Sequence, residues 1–289
     1  MTTFEIGDAE FGALKDKVIL VTGCATGIGY ATAKRAHANG AKLILADWNE
    51  KDTLKLVEEL GSKDVVFRKT DVSNFDDVLE VFQLGQVTFG KIDAVISNAG
   101  AAQLSKGLFE DEYDESGKLK APSLRSIEVN LHAHLYMVKC AAHYFKKSPN
   151  EKHQIIMTGS AASIIDTPPQ YLYCAAKAGV LGLMRSLRTQ LIKDGTSVNM
   201  VAPWMTVSQM LPQWIVDMWG DLPANTPDGV GRALLLPIVK PDVNGCTFWV
   251  AGNNIVELEE KLHETQPLWM GAELSKAVDA GQLKMIPYM

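Results

Sequence analysis

One glycine-rich stretch near the amino terminus constrains this chain more than any other part of its sequence, and it reads Thr22-Gly23-Cys24-Ala25-Thr26-Gly27-Ile28-Gly29. It follows the apolar residues 18–21 and leads into residues 30–36, whose composition is that of a helix. Glycine allows a tight turn with positive φ and lets the backbone approach a ligand closely. A strand, a glycine turn and a helix in this order predict a loop that binds the phosphates of a dinucleotide. The alternative is a glycine turn that binds nothing.

The apolar segments of the chain are of two kinds, which alternate. Short runs predict strands at residues 18–22, 41–46, 65–69, 94–97, 154–158, 197–202 and 247–251. Longer amphipathic segments predict helices at residues 28–39, 51–60, 74–89, 122–147 and 171–193, with a further set after 205. Most of the strands are nearly all apolar, as expected of parallel strands covered on both faces. The pattern predicts an α/β fold, a single Rossmann-type doubly wound parallel sheet with helices on both faces and a C-terminal extension.

Composition and charge limit the size of the domain and the classes of partner. With 289 residues, of which 47% are hydrophobic, the chain can form one large domain. We predict a single dinucleotide-binding catalytic domain over residues 1–289, with an N-terminal segment at 1–15 and a C-terminal extension at 253–289. The net charge of −6 without a basic run argues against nucleic acid and anionic membranes as partners. A small-molecule substrate is therefore expected.

The ends and the cysteines predict a cytoplasmic protein. Residues 1–17 carry acids and lack the apolar core of a signal peptide, and no apolar run approaches the roughly 20 residues of a membrane helix. The four cysteines are scattered, which fits reduced thiols. The six histidines form no metal-binding pattern, and His132 and His134 are expected on different faces of a helix. We therefore expect no metal.

Asp47 stands at the end of the second predicted strand, where a dinucleotide would place its adenosine ribose. A carboxylate there accepts hydrogen bonds from the ribose hydroxyls and repels a 2′-phosphate, which predicts NAD rather than NADP. Trp48 follows where an NADP enzyme would place a basic residue. The alternative is that Asp47 only caps the next segment of the chain.

Tyr173 and Lys177 are four residues apart and so share one face of a predicted helix. Tyr30 and Lys34 have the same spacing but follow the glycine loop, where a structural role is expected. Ser160 lies thirteen residues before Tyr173, and Asn130 lies on the preceding long helix. In this order and spacing, with the glycine loop and Ser97-Asn98-Ala99-Gly100, these residues resemble the short-chain dehydrogenase/reductase family. The resemblance extends from about residue 16 to residue 252.

The resemblance implies roles for these residues. Tyr173 would exchange a proton with the substrate, Ser160 would hold the substrate oxygen, Lys177 would bind the nicotinamide ribose, and Asn130 would hold a water. A free phenol has a pKa of about 10, and the Lys177 ammonium with the positive nicotinamide is expected to favour the phenolate. The implied cofactor-binding residues are Gly23, Thr26, Gly27, Ile28, Gly29, Asp47, Trp48, Asp71, Val72, Asn98, Ala99, Gly100, Tyr173, Lys177, Pro203, Met205, Thr206 and Ser208.

Residues 204–219 depart from the family pattern and occupy the place of its substrate-binding loop. Trp204 stands where the family usually has glycine. The segment is rich in large apolar side chains, namely Trp204, Met205, Met210, Leu211, Trp214, Met218 and Trp219. Such a surface predicts a bulky apolar or polycyclic substrate. The alternative is core packing of an amphipathic helix. The C-terminal tail resembles those of fungal secondary-metabolite dehydrogenases and prostaglandin-dehydrogenase-like members.

The sequence thus predicts an NAD-dependent oxidoreductase that interconverts a secondary alcohol and a ketone. Two alternatives remain, a cofactor-binding enzyme that performs a non-redox isomerisation or cyclisation, and a non-catalytic nucleotide sensor. The long helices 122–147 and 171–193 carry apolar side chains around much of their circumference, which predicts a homodimer or homotetramer. The apolar residues concerned include Leu131, Leu135, Val138, Leu181 and Leu187.

Overall fold

A computed structural model describes residues 3–61, 63–102, 108–209 and 211–285 of the chain. In these ranges nine strands form one sheet. The strands are β1 Thr3–Phe4, β2 Val18–Thr22, β3 Lys42–Asp47, β4 Val65–Lys69, β5 Ala94–Ser97, β6 His153–Thr158, β7 Thr196–Pro203, β8 Thr247–Ala251 and β9 Asn254–Glu257.

Helices connect the strands and follow the last of them. They are α1 Gly27–Ala38, α2 Glu50–Leu60, α3 Phe75–Phe89, α4 Arg125–Ile127, α5 Ala133–Phe145, α6 Tyr171–Leu187, α7 Gln213–Trp219, α8 Pro227–Val239, α9 Glu259–Glu264, α10 Gln266–Met270 and α11 Ala272–Met285. A π-helical segment, Glu128–His132, joins α4 to α5, and short 3₁₀ turns cover Asp8–Leu14, Ala161–Ser163 and Leu191–Asp194. No helix in the described ranges is long and apolar enough to cross a membrane.

The sheet confirms the predicted α/β doubly wound fold. Its strand order is β1-β9-β8-β7-β6-β5-β2-β3-β4, in which β2 to β8 run parallel and β9 and β1 are antiparallel at one edge. One apolar core lies on each face of the sheet. After β2, the strands β3 and β4 are added on one side of it and the strands from β5 onward on the other, so the order of the strands reverses between β2 and β5. In such folds ligands bind at the carboxyl ends of the strands beside this point.

The predicted strand bounds agree with the structure to within one residue, but two helix bounds were wrong. The predicted helix 171–193 ends at Leu187, where a 3₁₀ turn begins soon after, and the predicted helix 122–147 spans 125–145 with a π-helical segment inside it. The sequence analysis also missed β1 and β9. Gly252 and Asn253, both with positive φ, form the two-residue turn between β8 and β9. A Gly-Asn pair after an apolar run is a hairpin signal that could have revealed β9.

The strands β1 and β9, both outside the family resemblance, pair with each other at the sheet edge. Phe4 of β1 lies opposite Ile255 of β9, and its ring packs edge-on against Phe248 at 5.3 Å between centroids. Phe11 in the N-terminal segment is fully buried between the guanidinium groups of Arg35 and Arg232. These contacts make the N-terminal segment part of the core.

Beyond β9, the C-terminal extension lies at the edge of the sheet opposite the predicted active site. Because β9 runs antiparallel to β8, it returns the chain to the amino ends of the parallel strands. There Glu259 accepts hydrogen bonds from Arg185 and Arg188 at 2.9 and 3.2 Å. Glu257 caps α9 by accepting from the amides of Glu259 and Glu260. The start of the tail is therefore fixed to the end of α6 that is remote from Tyr173.

Candidate active site

The glycine loop connects β2 to α1 and needs glycine at three positions. Gly23 and Gly27 have φ of +68° and +58°, a region that favours glycine. A Cβ on Gly23 would lie 2.7 Å from Cα of Ala99, and one on Gly29 would lie 2.0 Å from the Gly23 carbonyl oxygen. The loop is thus packed tightly against the end of β5 and against itself. This packing holds the start of α1 at the carboxyl edge of the sheet.

The start of α1 fits a pyrophosphate. The first amide that bonds within this turn is that of Tyr30, which donates to Thr26 O at 3.3 Å, so the amides of Gly27, Ile28 and Gly29 precede the first intrahelical bond. The side chain of Thr26 makes no capping hydrogen bond. A helix start without a side-chain cap, approached by a glycine loop, is a binding site for an anion. The residues present therefore fit the phosphates of a dinucleotide.

Asp47 is buried at the end of β3, and both of its carboxylate oxygens have a backbone partner. Oδ2 accepts from the amide of Ala25 at 2.9 Å, and Oδ1 accepts from the amide of Asn49 at 2.8 Å. Asp47 therefore has the capping role that the sequence analysis gave as the alternative, and it also holds the glycine loop. A carboxylate oxygen can accept more than one hydrogen bond, so a ribose contact stays compatible with this geometry. Trp48, beside it, is exposed.

Lys69, a cation that the sequence analysis did not consider, neighbours Asp47 in the sheet. The register of β3 and β4 sets Lys69 opposite Asp47. The Nζ of Lys69 lies 3.7 Å from a carboxylate oxygen of Glu50, so this charge already has a partner. Local sequence pattern does not reveal this pair, because it does not show strand register.

Asn98 and Thr22 link the glycine loop to the centre of the sheet. The Thr22 hydroxyl accepts from the amides of Asn98 and Ala99 at 2.9 and 3.0 Å. The Asn98 side-chain amide donates to the carbonyls of Thr22 and Gly23, and its oxygen accepts from the Thr158 hydroxyl at 3.1 Å. Asn98 thus connects β2, β5 and β6, the sheet-stabilising role that the family resemblance implied. The sequence analysis assigned no role to Thr158.

Asp71 and Val72 follow β4, at the place implied for the adenine. Val72 is buried. The Asp71 carboxylate accepts from the amide of Ser73 at 3.0 Å and from Arg125 at 2.9 Å. Arg125 thus joins this loop to the start of α4 and the π-helical segment. Any adenine contact by Asp71 has to coexist with this ion pair.

Ser160, Tyr173 and Lys177 come together at the carboxyl end of β6. Ser160 follows β6 and is hydrogen-bonded to Tyr173 on the first turn of α6. Lys177 lies one turn later, with its Nζ 5.7 Å from the centroid of the Tyr173 ring. The Nζ donates to the carbonyl of Thr158 at 2.7 Å. The structure therefore assembles the three residues that the sequence predicted.

Burial determines the protonation of this cluster in the protein without a cofactor. Burial raises the pKa of Tyr173 above its ordinary value, and only the hydrogen bond with Ser160 opposes that effect. Burial also lowers the pKa of Lys177 to about 7. In the protein alone, burial thus favours the neutral phenol over the phenolate. The positive charge of an oxidised nicotinamide would favour the phenolate.

Asn130 lies in the π-helical segment and is fully buried. Its side-chain amide donates to the carbonyl of Ala101 at 2.9 Å, and its oxygen accepts from the Ala101 amide at 3.2 Å. A Cβ on Gly100 would lie 3.0 Å from Asn130 Oδ1 and 3.7 Å from Lys177 Nζ. Gly100 therefore allows the chain to pass between Asn130 and Lys177, so these two residues also belong to one cluster.

The loop after β7 closes the other side of the site and depends on a residue that the sequence analysis missed. Asn225 is buried, and its side chain donates to the carbonyl of Val250 at 2.8 Å. Its backbone exchanges hydrogen bonds with Met205 and Val207 at 2.7 and 3.0 Å. Asn225 thus fixes the implied cofactor loop 203–208 to β8. No local motif marks it, because its partners lie about 20 residues away on either side.

Ser208 in this loop lies beside the glycine loop, whereas Thr206 is bonded within its own loop and to Asn225. The Thr206 hydroxyl donates to the carbonyl of Trp204 at 2.9 Å and accepts from the side-chain amide of Asn225 at 3.4 Å. A Cβ on Gly27 would lie 3.6 Å from Cβ of Ser208. Pro203 ends β7 directly before this loop. The two predicted cofactor loops therefore border one cleft.

The large apolar side chains of segment 204–219 divide into two groups. Trp204 packs against Trp249 and Trp219, with ring centroids 6.1 and 5.5 Å apart. Trp214 and Met218, one turn apart on α7, are instead 63% and 70% exposed. Core packing, the alternative explanation, therefore does not apply to these two, and no residue of α7 is buried. Met210 lies outside the described residues.

Tyr30 and Lys34, the other pair with the same spacing, are not part of this cleft. The Tyr30 hydroxyl donates to Glu59 at 2.5 Å, and Lys34 donates to the same carboxylate. They connect α1 to α2 on the surface. Their structural role is as predicted.

Comparisons with known proteins agree with this geometry. A family model described as short chain dehydrogenase matches residues 17–218. The chain is 31% identical to the short-chain dehydrogenase/reductase prx4 of Penicillium roqueforti, over 94% of this chain and 85% of the relative. It is 32% identical to 5'-hydroxyaverantin dehydrogenase of Dothistroma septosporum, over 71% and 72% of the two chains.

A solved structure shares the fold. The 3-ketoacyl-(acyl-carrier-protein) reductase of Brucella melitensis, crystallised with NADH, superposes with a TM-score of 0.73. The superposition covers 83% of this chain and 98% of that chain at 22% identity. At this identity the likeness concerns the fold alone.

Proposed function

The chain belongs to the short-chain dehydrogenase/reductase family, and on this premise we propose that it is an NAD-dependent oxidoreductase that interconverts a secondary alcohol and a ketone. The observation that carries the proposal is the meeting of Ser160, Tyr173 and Lys177 at the carboxyl end of β6, beside the glycine loop. A phenol, a hydroxyl and an ammonium in one cleft can bind and deprotonate an alcohol.

The cofactor would lie across the carboxyl edge of the sheet. Gly27, Ile28 and Gly29 would hold its phosphates, and the loop 203–208 would border its nicotinamide. When bound, the oxidised nicotinamide supplies the acceptor for hydride. The NADH in the structural neighbour supports a nicotinamide cofactor. The buried carboxylate of Asp47 supports NAD over NADP, since a 2′-phosphate beside it would be repelled by about 4 kcal/mol at an effective dielectric of 20.

The protein groups around the substrate handle the proton. Ser160 would orient the substrate oxygen by a hydrogen bond, and Tyr173 would take its proton during oxidation and return it during reduction. Lys177, anchored by the carbonyl of Thr158, would stabilise the phenolate and hold the ribose hydroxyls. Asn130 would position this arrangement through Ala101.

The substrate we propose is bulky and apolar, such as a polycyclic alcohol or ketone. The exposed apolar side chains of Trp214 and Met218 on α7 support this, because an apolar ligand would cover them. Trp204 would form one wall of the site with Trp249 and Trp219 behind it. The name of one relative, 5'-hydroxyaverantin dehydrogenase, is consistent with a hydroxylated substrate.

The remaining parts of the proposal concern place and assembly. We propose that the protein works in the cytoplasm as a homodimer or homotetramer, on a small-molecule substrate, without nucleic acid or membrane as partners. The net charge of −6 supports the exclusion of polyanionic partners. The exposed apolar side chains of the C-terminal helices support self-association.

A cofactor-reduction assay tests the proposal. The purified protein is incubated with NAD and a panel of hydroxylated polycycles, and reduced nicotinamide is followed by its ultraviolet absorbance while products are identified by mass spectrometry. We expect reduction with at least one substrate and formation of the ketone. A product isomeric with its substrate, without net cofactor change, would instead indicate a non-redox enzyme. Cofactor binding without any turnover across the panel would indicate a nucleotide sensor.

A further inference from the structure

His134 is a buried polar residue that has no role in the sequence analysis or in the proposed mechanism. It is fully buried on the inner face of α5, whereas His132 is exposed. Its Nδ1 lies 2.8 Å from the hydroxyl of Ser97. Its Nε2 is buried and has no hydrogen-bond partner among the described residues of the protein. A buried polar atom of this kind needs an explanation, because leaving it unpaired costs roughly 1–3 kcal/mol.

The surroundings of His134 are those of Lys177. His134 lies one helical turn beyond Asn130, so both side chains are on the same face. Ser97, its partner, is opposite Met157 in the sheet, directly before Thr158, whose carbonyl binds Lys177. Gly100 separates Asn130 from Lys177 by the width of one backbone. His134 and Lys177 therefore border the same buried space between β5, β6, α5 and α6.

The electrostatics of this space assign the positive charge to Lys177. Burial, followed by the charge of Lys177, holds the pKa of His134 well below its ordinary value. The titratable groups that face the pair in the described structure are each other and Tyr173, since β5 and β6 contribute the uncharged Ser97 and Thr158. The imidazole is thus neutral at working pH. A neutral imidazole cannot compete for the proton, but its ring nitrogen can solvate an ammonium.

We propose that His134, held by Ser97, is a positioning residue whose Nε2 solvates the Lys177 ammonium through a bound water molecule and keeps Lys177 protonated during turnover. The proposal rests on the proposed function, in which charged Lys177 stabilises the Tyr173 phenolate. Burial opposes that charge, and the Thr158 carbonyl occupies only one of the three N–H donors of the ammonium. A water bound to Nε2 supplies a second acceptor, as buried waters commonly do for unpaired polar groups.

The test compares two variants of His134 in the full-length protein. His134→Leu removes the polar atom at similar volume, and His134→Gln keeps a polar atom at similar depth. In His134→Leu the ammonium loses a partner, so Lys177 releases its proton at lower pH. The alkaline limb of the pH profile of kcat should therefore move to lower pH by about one unit, which is a tenfold change in the protonation equilibrium of Lys177. In His134→Gln the profile stays near that of the wild type.

The pH limbs separate positioning from a merely structural role. His134→Leu leaves the buried Ser97 hydroxyl without its partner, so the urea stability should fall under either role. A merely structural role predicts that loss of stability with unchanged pH limbs. That result, or an unshifted alkaline limb in a folded His134→Leu protein, would overturn the proposal. If His134→Leu does not fold, Ser97→Ala frees the imidazole and must shift the same limb in the same direction.

A second readout needs no activity and so distinguishes this proposal from the proposed function. The pKa of Lys177 is followed in the ligand-free protein by NMR of labelled lysine side chains, with the signal assigned from Lys177→Met. We expect a lower pKa in His134→Leu than the value of about 7 in the wild type. An unchanged value overturns the role of His134 even where the enzyme is active, and a lowered value supports it even where no substrate has been found.

Discussion

At the scale of single residues, the site depends on the ammonium group of Lys177, whose burial lowers the stability of the fold. Lys177 is 3% exposed and has one backbone carbonyl as its protein partner. Its pKa falls to about 7, whereas lysine in an unfolded chain titrates near 10.5. Between these values the unfolded chain binds more protons, so this residue's contribution to stability rises with pH. The free-energy cost of burying the ammonium applies in full below about pH 7 and is absent above about pH 10.5.

Lys177→Met should therefore change stability in a pH-dependent way. The substitution removes the buried charge but leaves the Thr158 carbonyl without its donor, so the sign of the change at one pH is not the test. The difference in unfolding free energy, variant minus wild type, should fall from about pH 7 to about pH 9 by up to roughly 1.4 kcal/mol per unit. Urea unfolding at about pH 6, 7.5 and 9 measures it. A difference that stays constant would show that Lys177 keeps an ordinary pKa.

Asp47 should decide between NAD and NADP. We expect the wild type to favour NAD by at least about tenfold in kcat/KM, or 1.4 kcal/mol. Asp47→Ser combined with Trp48→Arg should narrow or reverse this preference, because repulsion is removed and a phosphate-binding fork is added. Asp47→Asn is the control, since it removes the charge and keeps an acceptor for one of the two backbone amides. Equal kcat/KM for both cofactors in the wild type would contradict the ribose contact.

The residues predicted from sequence are those that belong to local patterns. Ser160, Tyr173 and Lys177 could be found because their spacing along the chain is fixed by one strand and one helix. Asn225 and His134 could not, because their partners lie 18 to 37 residues away and only the folded sheet brings them together. The capping role of Asp47 toward Ala25 is likewise a contact between two strand ends.

At the scale of elements, α6 carries the catalytic pair and also touches the π-helical segment. Gly179 on α6 faces Leu131, and a Cβ there would lie 2.9 Å from Leu131 Cδ2. Gly182, one turn later, is exposed, and a Cβ there would have nothing within 4 Å. The two glycines therefore form a matched pair in one helix.

Gly182→Ala should stabilise the protein by about 0.5–1 kcal/mol, since glycine in a helix interior is unfavourable relative to alanine. Gly179→Ala should lose that gain and cost up to about 1–3 kcal/mol, because Leu131 has to move in a packed site. As Leu131 adjoins Asn130, kcat should fall in Gly179→Ala and not in Gly182→Ala. Thermal unfolding and initial rates measure both effects. Similar stabilisation by the two variants would refute the close packing of α6 on the π-helical segment.

The bounds of a strand could be predicted where its apolar run ends abruptly. The bounds of a helix could not be predicted where tertiary contacts determine its end. The strands β2, β4, β5 and β8 have the bounds predicted from their apolar runs. The helix predicted to reach residue 193 stops at Leu187, where Arg188 donates to the carbonyl of Gly245 and turns the chain. No pattern in the sequence indicates the π-helical segment, which follows from how Asn130 fits between Ala101 and Ser126.

At the scale of the whole molecule, the two long helices offer less exposed apolar surface for self-association than the sequence predicted. Of the five apolar side chains that suggested it, Val138 and Leu181 are buried in the subunit, and Leu131 and Leu187 pack against the same core. Only Leu135 is exposed, at 42%.

The C-terminal helices now offer the larger apolar surface, with Leu268 and Trp269 on α10 exposed at 84% and 66%. We expect light scattering at micromolar concentration to give at least a dimer mass. Trp269→Ser should weaken the assembly more than Leu135→Ser, because it removes more apolar area from a second copy's contact. A monomer mass for the wild type would refute the prediction.

The central claim is that Tyr173 exchanges the proton while hydride passes to NAD, and turnover of Tyr173→Phe tests it most directly. The substitution removes the hydroxyl and keeps the ring, so the dissociation constant for NAD should stay within a few-fold of the wild type. On the best alcohol of the panel, kcat should fall by about two to four orders of magnitude. Near-normal kcat in a folded, NAD-binding Tyr173→Phe protein would contradict the account.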